Sequence, residues 1–87
     1  MSNNHPKYYK SIGGETFIKV IGDKSTEVYI SHDGKRSKVE FDSEFGSAMF
    51  ENSPIYISAT PSEFMNAYRK HQENILDFIN EAKRVDY

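Results

Sequence analysis

Residues 60–84, TPSEFMNAYRKHQENILDFINEAKR, contain the signals that decide the fold. Thr60 is a typical N-cap, Pro61 suits the first helical position because no N–H is needed there, and Glu63 completes a capping box three residues after the cap. Apolar residues then recur every three or four positions, and charged residues occupy the opposite face. The stretch therefore predicts one long amphipathic helix, from about 61 to 84.

His71 lies among the apolar positions of this helix and not among the charged ones. It follows Tyr68 and precedes Ile75 along one stripe, so we expect it against the rest of the fold. The ordinary interpretation is a neutral histidine at the edge of the core, with one ring nitrogen bonded to a tyrosine hydroxyl or to a carbonyl. A sharper hypothesis is a pH-sensitive core histidine, in which acid charges the imidazole and loosens the helix or a dimer.

Upstream of the helix, apolar and polar residues alternate in short runs that end at turn residues. The runs are KYYKSI (7–12), ETFIKVI (15–21), TEVYIS (26–31), RSKVEF (36–41) and PIYIS (54–58). Alternation of β-branched and aromatic residues with polar ones is typical of strands. The sequence therefore predicts four or five antiparallel strands before the helix.

Asp33-Gly34 is a typical sequence for a two-residue type I′ turn, and it predicts a hairpin between the third and fourth runs. The expected cross-strand pairs are Val28 with Val39, Thr26 with Phe41, Tyr29 with Lys38 and Glu27 with Glu40. We expect the pair of glutamates on an exposed face, because like charges directly opposite each other are mildly destabilising.

The predicted fold class is α+β, a hairpin meander packed against the C-terminal helix. The face beneath the helix is expected to consist of Ile18, Val20, Val28, Ile30, Val39 and Phe41. Residues 1–6 are expected to form a disordered tail, and 7–87 a single domain. Residues 42–53 stay open between two forms. One is a short helix capped by Ser43 and bearing Phe45, Met49 and Phe50; the other is a loop whose rings cover one end of the sheet.

The composition excludes several classes of protein. The 87 residues include no cysteine, which excludes a disulfide framework, a thiolate metal site and a cysteine nucleophile. Aromatic residues make up 14% of the chain, so a few large rings can fill one core. No run is long and apolar enough to span a membrane, and a cytoplasmic location is expected.

Motifs for catalysis and for cofactor binding are missing from the sequence. There is no Gly-x-Ser-x-Gly elbow and no glycine-rich phosphate loop before a helix. His5, His32 and His71 lie far apart, without a second ligand at a spacing typical of metal sites. We therefore predict no catalytic residue, no metal site and no cofactor, and a non-enzymatic protein.

A protein partner is predicted from two mismatches of size and pattern. The helix would be roughly 36 Å long, whereas six-residue strands span about 20 Å, so apolar surface should remain uncovered at its end. Phe17, Ile21 and Tyr29 are expected to point away from the helix. The candidate partner-binding residues are Phe17, Ile21, Tyr29, Tyr56, Met65 and Leu76. The commonest partner of this kind is a second copy, which predicts a homodimer; a frayed helix and a fold-over of residues 42–53 are the alternative.

The alternative function is a nucleic-acid-binding protein that uses the hairpin tip. The possible phosphate contacts are His32, Lys35, Arg36 and Lys38, and neighbouring tyrosines could stack on bases. The formal net charge of −2 and the interleaved acidic residues weigh against binding of a polyanion. Small bacterial, phage or mobile-element inhibitors and adaptors have this size and composition, so both functions stay open.

The pH-sensitive role of His71 can be tested by substitution. Acidification from pH 7 to pH 5 should lower the free energy of unfolding of the wild type more than that of His71→Gln, because the variant lacks the imidazole whose charging is expected to loosen the helix, while the other two histidines are the same in both proteins. Chemical denaturation at several pH values measures the difference. Equal acid sensitivity of the two proteins would exclude the role.

Overall fold

A computed structural model describes residues 5–84, with side chains described as far as Glu81. Its elements, in chain order, are β1 (Lys7–Ser11), β2 (Thr16–Ile21), β3 (Lys24–Ile30), β4 (Ser37–Ser43), α1 (Ser47–Glu51), β5 (Tyr56–Ser58) and α2 (Pro61–Arg84). The strands form one antiparallel sheet in the spatial order β4-β3-β2-β1-β5. The predicted α+β fold is confirmed. Most of the expected N-terminal tail, residues 1–4, lies outside the described residues.

The first turn of α2 has the capping box that the sequence predicts. Thr60 Oγ1 accepts a hydrogen bond from the Glu63 N–H at 3.1 Å, and Glu63 Oε1 accepts one from the Thr60 N–H at 2.9 Å. Glu63 also forms an ion pair with Lys10 of β1. The bond from Lys10, together with the capping bonds, holds the pKa of Glu63 below its ordinary value. The start of α2 is thus tied to β1, the strand next to one edge of the sheet.

The turn between β2 and β3 decides which side chains face α2. Gly22, with a φ of +64°, leads a two-residue loop that pairs Ile21 with Lys24. Residue numbers paired across such a loop add to an odd sum, so odd positions of β2 share a face with even positions of β3. The expectation that Ile18 and Val28 lie on one face is therefore wrong. Val20 lies two residues from Ile18 on β2 and therefore on the same face, opposite α2, which also contradicts the prediction.

Phe17 pairs with Val28 and lies beneath α2. Val28 is fully buried there, and Phe64 of α2 packs above it with its ring centroid 5.7 Å from that of Tyr8 and 6.4 Å from that of Tyr68. The remaining members of this cluster are Ala67, Ile30 and Val39. Ile30 and Val39 therefore do lie on the predicted face.

The opposite face of the sheet has a second cluster of buried residues. Tyr9, Ile18 and Val20 are buried there together with Phe50 of α1, and Tyr56 packs against them. The Phe50 ring lies 5.6 Å from that of Tyr9 and 5.2 Å from that of Tyr56, centroid to centroid. Both faces of the sheet are thus apolar at their centre, and each needs its own cover.

Residues 42–53 include the short helix α1, one of the two forms that the sequence left open. Its N-cap is Gly46 and not Ser43, so the glycine that argues against a helix lies outside it. Phe50 is 1% exposed, whereas Phe45 and Met49 remain exposed. Of these three side chains, only that of Phe50 covers the second face.

The β3–β4 hairpin has the predicted register but a different turn. Val28 pairs with Val39 as expected. The Ser31 N–H donates to the Arg36 carbonyl at 2.8 Å, and this bond closes a loop of four residues, 32–35. Only Gly34 among these four has a positive φ. The predicted two-residue loop and the observed four-residue loop are both centred between Asp33 and Gly34, so both give the same cross-strand pairs. The predicted register is therefore right although the predicted turn type is wrong.

A β-bulge replaces the predicted pair of Thr26 with Phe41. The register shifts between Ser25 and Glu27, and Asp42 adopts a φ of 56°, a left-handed conformation that is uncommon for residues other than glycine. Phe41 remains 63% exposed at this edge of the sheet. The prediction that Phe41 lies in the buried face is therefore wrong.

α2 crosses the sheet diagonally, from Tyr8 on β1 to Ser37 at the start of β4. His71 Nδ1 lies 2.8 Å from Ser37 Oγ, and the same hydroxyl accepts a hydrogen bond from Asn74 Nδ2 at 3.1 Å. His71 is thus a half-buried residue at the edge of the core, bonded to a serine hydroxyl. Its sensitivity to acid stays a prediction.

Candidate protein-binding surface

The second half of α2 bears large apolar side chains that the sheet leaves uncovered. Ile75, Leu76, Phe78 and Ile79 are 46%, 60%, 74% and 42% exposed, whereas Phe64 in the first half is 5% exposed. The helix is longer than the sheet surface that it crosses, as its length predicts. An apolar surface at the end of a helix of this length is available to a partner.

One flank of α2 bears a line of four residues, with about two turns of helix between the first and the second, and we call it the groove flank. Helix geometry places its four residues within about 60° of one another around the axis. They are Met65, Gln72, Leu76 and Ile79, and all four are exposed.

A groove opens beside the N-terminal end of this stripe. It measures about 260 Å³ and is lined by Phe41, Met65, Phe64, Tyr68, Lys19 and Thr26. The bulge at Asp42 interrupts the pairing of β4 at this corner of the sheet, where Phe41 forms one wall. Walls that are mostly apolar and open to solvent suit an apolar side chain from another molecule.

The other flank of α2 borders the β3–β4 loop, and we call it the hairpin flank. It includes Lys70, Asn74, Asp77 and Phe78, which line a shallow concavity together with Gly34. Lys70 and Asp77 place both signs of charge there. The hairpin flank is thus more polar than the groove flank, although it includes Phe78, the most exposed of the four uncovered residues.

The six predicted partner-binding residues do not form one surface. Phe17 is half-buried beneath α2, and Tyr56 packs on Phe50. Tyr29 is half-buried on the face opposite α2, and Ile21 is exposed at the β2–β3 turn. Only two of the six, Met65 and Leu76, lie together on the groove flank.

Three residues of the groove flank and its groove, Phe41, Gln72 and Ile79, are absent from the predicted set. Phe41 is predicted in the core because the sequence does not reveal the bulge. Ile79 lies at the predicted uncovered end of the helix, and its place in the helical repeat is the available signal. Phe41 and Ile79 are both exposed large hydrophobic residues in the structure.

The predicted phosphate-binding residues do not all lie together. His32 Nε2 lies 3.0 Å from Glu15 Oε2, and the Lys35 N–H donates to Asp33 Oδ1 at 2.9 Å. Bonds to Asp33 from the Ser31 hydroxyl and from Lys35 lower the pKa of this carboxyl, which keeps a negative charge at the tip.

The other two predicted phosphate-binding residues are Lys38 and Arg36. Lys38 pairs with Tyr29 on the face opposite α2, next to Glu27 and Glu40. Arg36 lines one concavity together with His32 and a second one together with Lys35. The four basic side chains therefore do not line a single positive groove.

Glu27 and Glu40 face each other across β3 and β4 as predicted, but Glu27 is half-buried. Burial raises the pKa of Glu27, the charge of Glu40 raises it further, and Lys38 partly opposes both effects. At neutral pH this pair therefore destabilises the fold.

Tyr9 of the second cluster is bonded to the exposed residue Glu51. The Tyr9 hydroxyl donates to Glu51 Oε2 at 2.8 Å, and burial together with Glu51 raises the pKa of Tyr9 to about 12. Tyr9 is thus a structural hydrogen-bond donor. No cluster of three residues suited to hold a metal ion occurs within the described part of the chain. Among the same residues, no helix is both long and apolar enough to cross a membrane.

Glu27→Gln should stabilise the protein at pH 7 by about 0.2–1 kcal/mol, the range for removing a like-charge cross-strand pair. The pKa of Glu27 is higher in the folded than in the unfolded state, so its ionisation disfavours folding as the pH rises above about 4.5, the ordinary value of the group. The gain should therefore disappear as the pH falls below that value. Urea denaturation from pH 3.5 to pH 7 measures it.

Glu40→Gln removes the like charge but leaves the half-buried Glu27 carboxylate in place, so at pH 7 it should stabilise the protein less than Glu27→Gln, because burial is the larger cause of the raised pKa of Glu27. A gain for Glu27→Gln that is constant from pH 3.5 to pH 7 would contradict the explanation.

Comparison with protein-family models, with curated proteins and with solved structures finds no match to this chain.

Proposed function

We propose that this protein is a protein-interaction module whose binding surface is the groove flank of α2 together with Phe41. The observation that supports it is the exposure of large apolar side chains along one rigid helix. Leu76 and Phe41 are 60% and 63% exposed. Because the helix is held at its N-terminal end by the capping box and by Lys10, this surface is presented in a fixed orientation.

The size of the surface supports the proposal. The exposed parts of the groove flank and of Phe41 amount to roughly 500 Å², which is near the upper end for the largest apolar patch of an ordinary monomer. A groove of about 260 Å³ lies within it. A concave apolar site next to exposed aliphatic side chains is the usual form of a binding hot spot.

Nucleic-acid binding is the weaker proposal. The ion pair of His32 with Glu15 and the position of Lys38 beside two glutamates reduce the positive potential of the hairpin tip. A polyanion would meet alternating charges there, so its counterion release would be small.

Photo-cross-linking in the native cells tests the proposed function. A photoreactive phenylalanine analogue at position 76 should yield a discrete adduct with a protein, because this position lies at the centre of the proposed surface. The same analogue at position 12 is the control, since Ile12 is 64% exposed but lies at the β1–β2 turn. Adduct formation at position 12 alone, or at neither position, would contradict the proposal.

A further inference from the structure

We propose that the partner of the groove flank is a second copy of this chain, bound with the two α2 helices antiparallel and a two-fold axis at Gln72. This inference rests on the proposed function and specifies its partner. It predicts the register of the contact, and therefore which side chains meet across it.

The spacing of the groove flank is the first argument. Met65, Gln72 and Ile79 are seven residues apart, which is the repeat of residues that meet a neighbouring helix along a coiled-coil seam. The stripe is about 21 Å long, and Gln72 lies at its middle. An antiparallel copy centred at Gln72 places Met65 opposite Ile79 of the second copy, and Tyr68 opposite its Leu76.

This register fills the groove. The exposed Leu76 and Ile79 of one copy would enter the space between Phe41, Met65 and Tyr68 of the other. The two-fold axis repeats the same insertion in the opposite direction, so each copy supplies both a groove and the side chains that fill it. A surface with a groove at one end and aliphatic side chains at the other is complementary to itself in the antiparallel arrangement.

The polar residue at the centre is the second argument. Gln72 is the only polar member of the stripe, and an aliphatic partner would leave its amide without hydrogen bonds. Its own copy at the two-fold axis offers a carboxamide with matching donor and acceptor. A single polar residue at such a position specifies register and orientation at some cost in stability.

Charge complementarity supports the same register. Arg69 and Glu73 lie on the solvent side of the groove flank, and both side chains are exposed. In the antiparallel arrangement the same side of each helix meets, with Arg69 of one copy about 3 Å along the axis from Glu73 of the other. Two Arg–Glu pairs thus form at the rim of the contact.

The area sets the expected strength. About 500 Å² from each copy buries roughly 1,000 Å² in total, at the lower limit for a specific interface. The dimer should therefore dissociate in the micromolar range and be visible in a concentration series.

Light scattering of the full chain from about 1 µM to about 1 mM tests the proposal, with variants of the two flanks as a matched pair. The wild type should change from monomer to dimer. Leu76→Glu should weaken the dimer by about 100-fold, because a charge replaces an aliphatic side chain that fills the groove of the other copy. Phe78→Glu should leave it unchanged, because Phe78 lies on the hairpin flank. Circular dichroism confirms that each variant is folded.

A charge swap tests the register. Arg69→Glu and Glu73→Arg should each dimerise more weakly than the wild type, because each places like charges across the rim. A mixture of the two variants should form a heterodimer more tightly than either variant alone. A mixture without this gain would overturn the register, and a wild type that is monomeric at 1 mM would overturn self-association.

The photo-adduct at position 76 separates this inference from the proposed function. An adduct of twice the chain mass agrees with both. An adduct with a different protein, from a chain that is monomeric by light scattering, overturns the second copy as partner while the binding surface stands. The absence of any adduct contradicts the surface itself.

Discussion

The contact of Phe64 with the row of side chains led by Phe17 and Val28 is the interaction on which the rest of the structure depends. It exists because the two-residue turn at Gly22 places an odd position of β2 beside an even position of β3. This parity sends Ile18 and Val20 to the other face, where they need a cover of their own. The sheet of this small protein is therefore enclosed by two helices of very different size, and neither one could cover both faces.

The two helices cover different faces of the sheet, and this explains why part of α2 is uncovered. α1 uses a single ring, that of Phe50, to close one face, while the first half of α2 closes the other. The diagonal path of α2 ends its contact with the sheet at Ser37, where His71 and Asn74 bond the same hydroxyl. Beyond this point the helix still has apolar residues at the repeating positions, but the sheet does not extend far enough to cover them. Two of them, Leu76 and Ile79, lie on the groove flank, and these are the ones that we propose for binding.

The sequence predicts the features that depend on local chemistry. The capping box at Thr60 and Glu63, the extent of α2 and the register of the β3–β4 hairpin all follow from residues close to one another in the chain. The faces of β2 follow from the sequence as well, because Gly22 and Asp23 indicate a two-residue turn. The predicted face is wrong because it combines even-numbered residues of β2 with even-numbered residues of β3. The bulge at Asp42 and the burial of Phe50 depend on the geometry of the edge strand and of the second face, and no nearby residue signals either one. The candidate site inherits this limit: Leu76 and Met65 follow from the helical repeat, whereas Phe41 depends on the bulge.

The central claim is that two copies pair along the groove flank with Gln72 at the axis. Nuclear Overhauser effects between the methyl groups of Met65 and Ile79 test it most directly. Within one chain these residues are about 21 Å apart along the same helix, too far for such an effect, so a cross-peak must arise from a second copy. The account predicts this cross-peak at millimolar concentration and its loss in Leu76→Glu. A spectrum of a self-associated wild type in which neither methyl group contacts the other would contradict it.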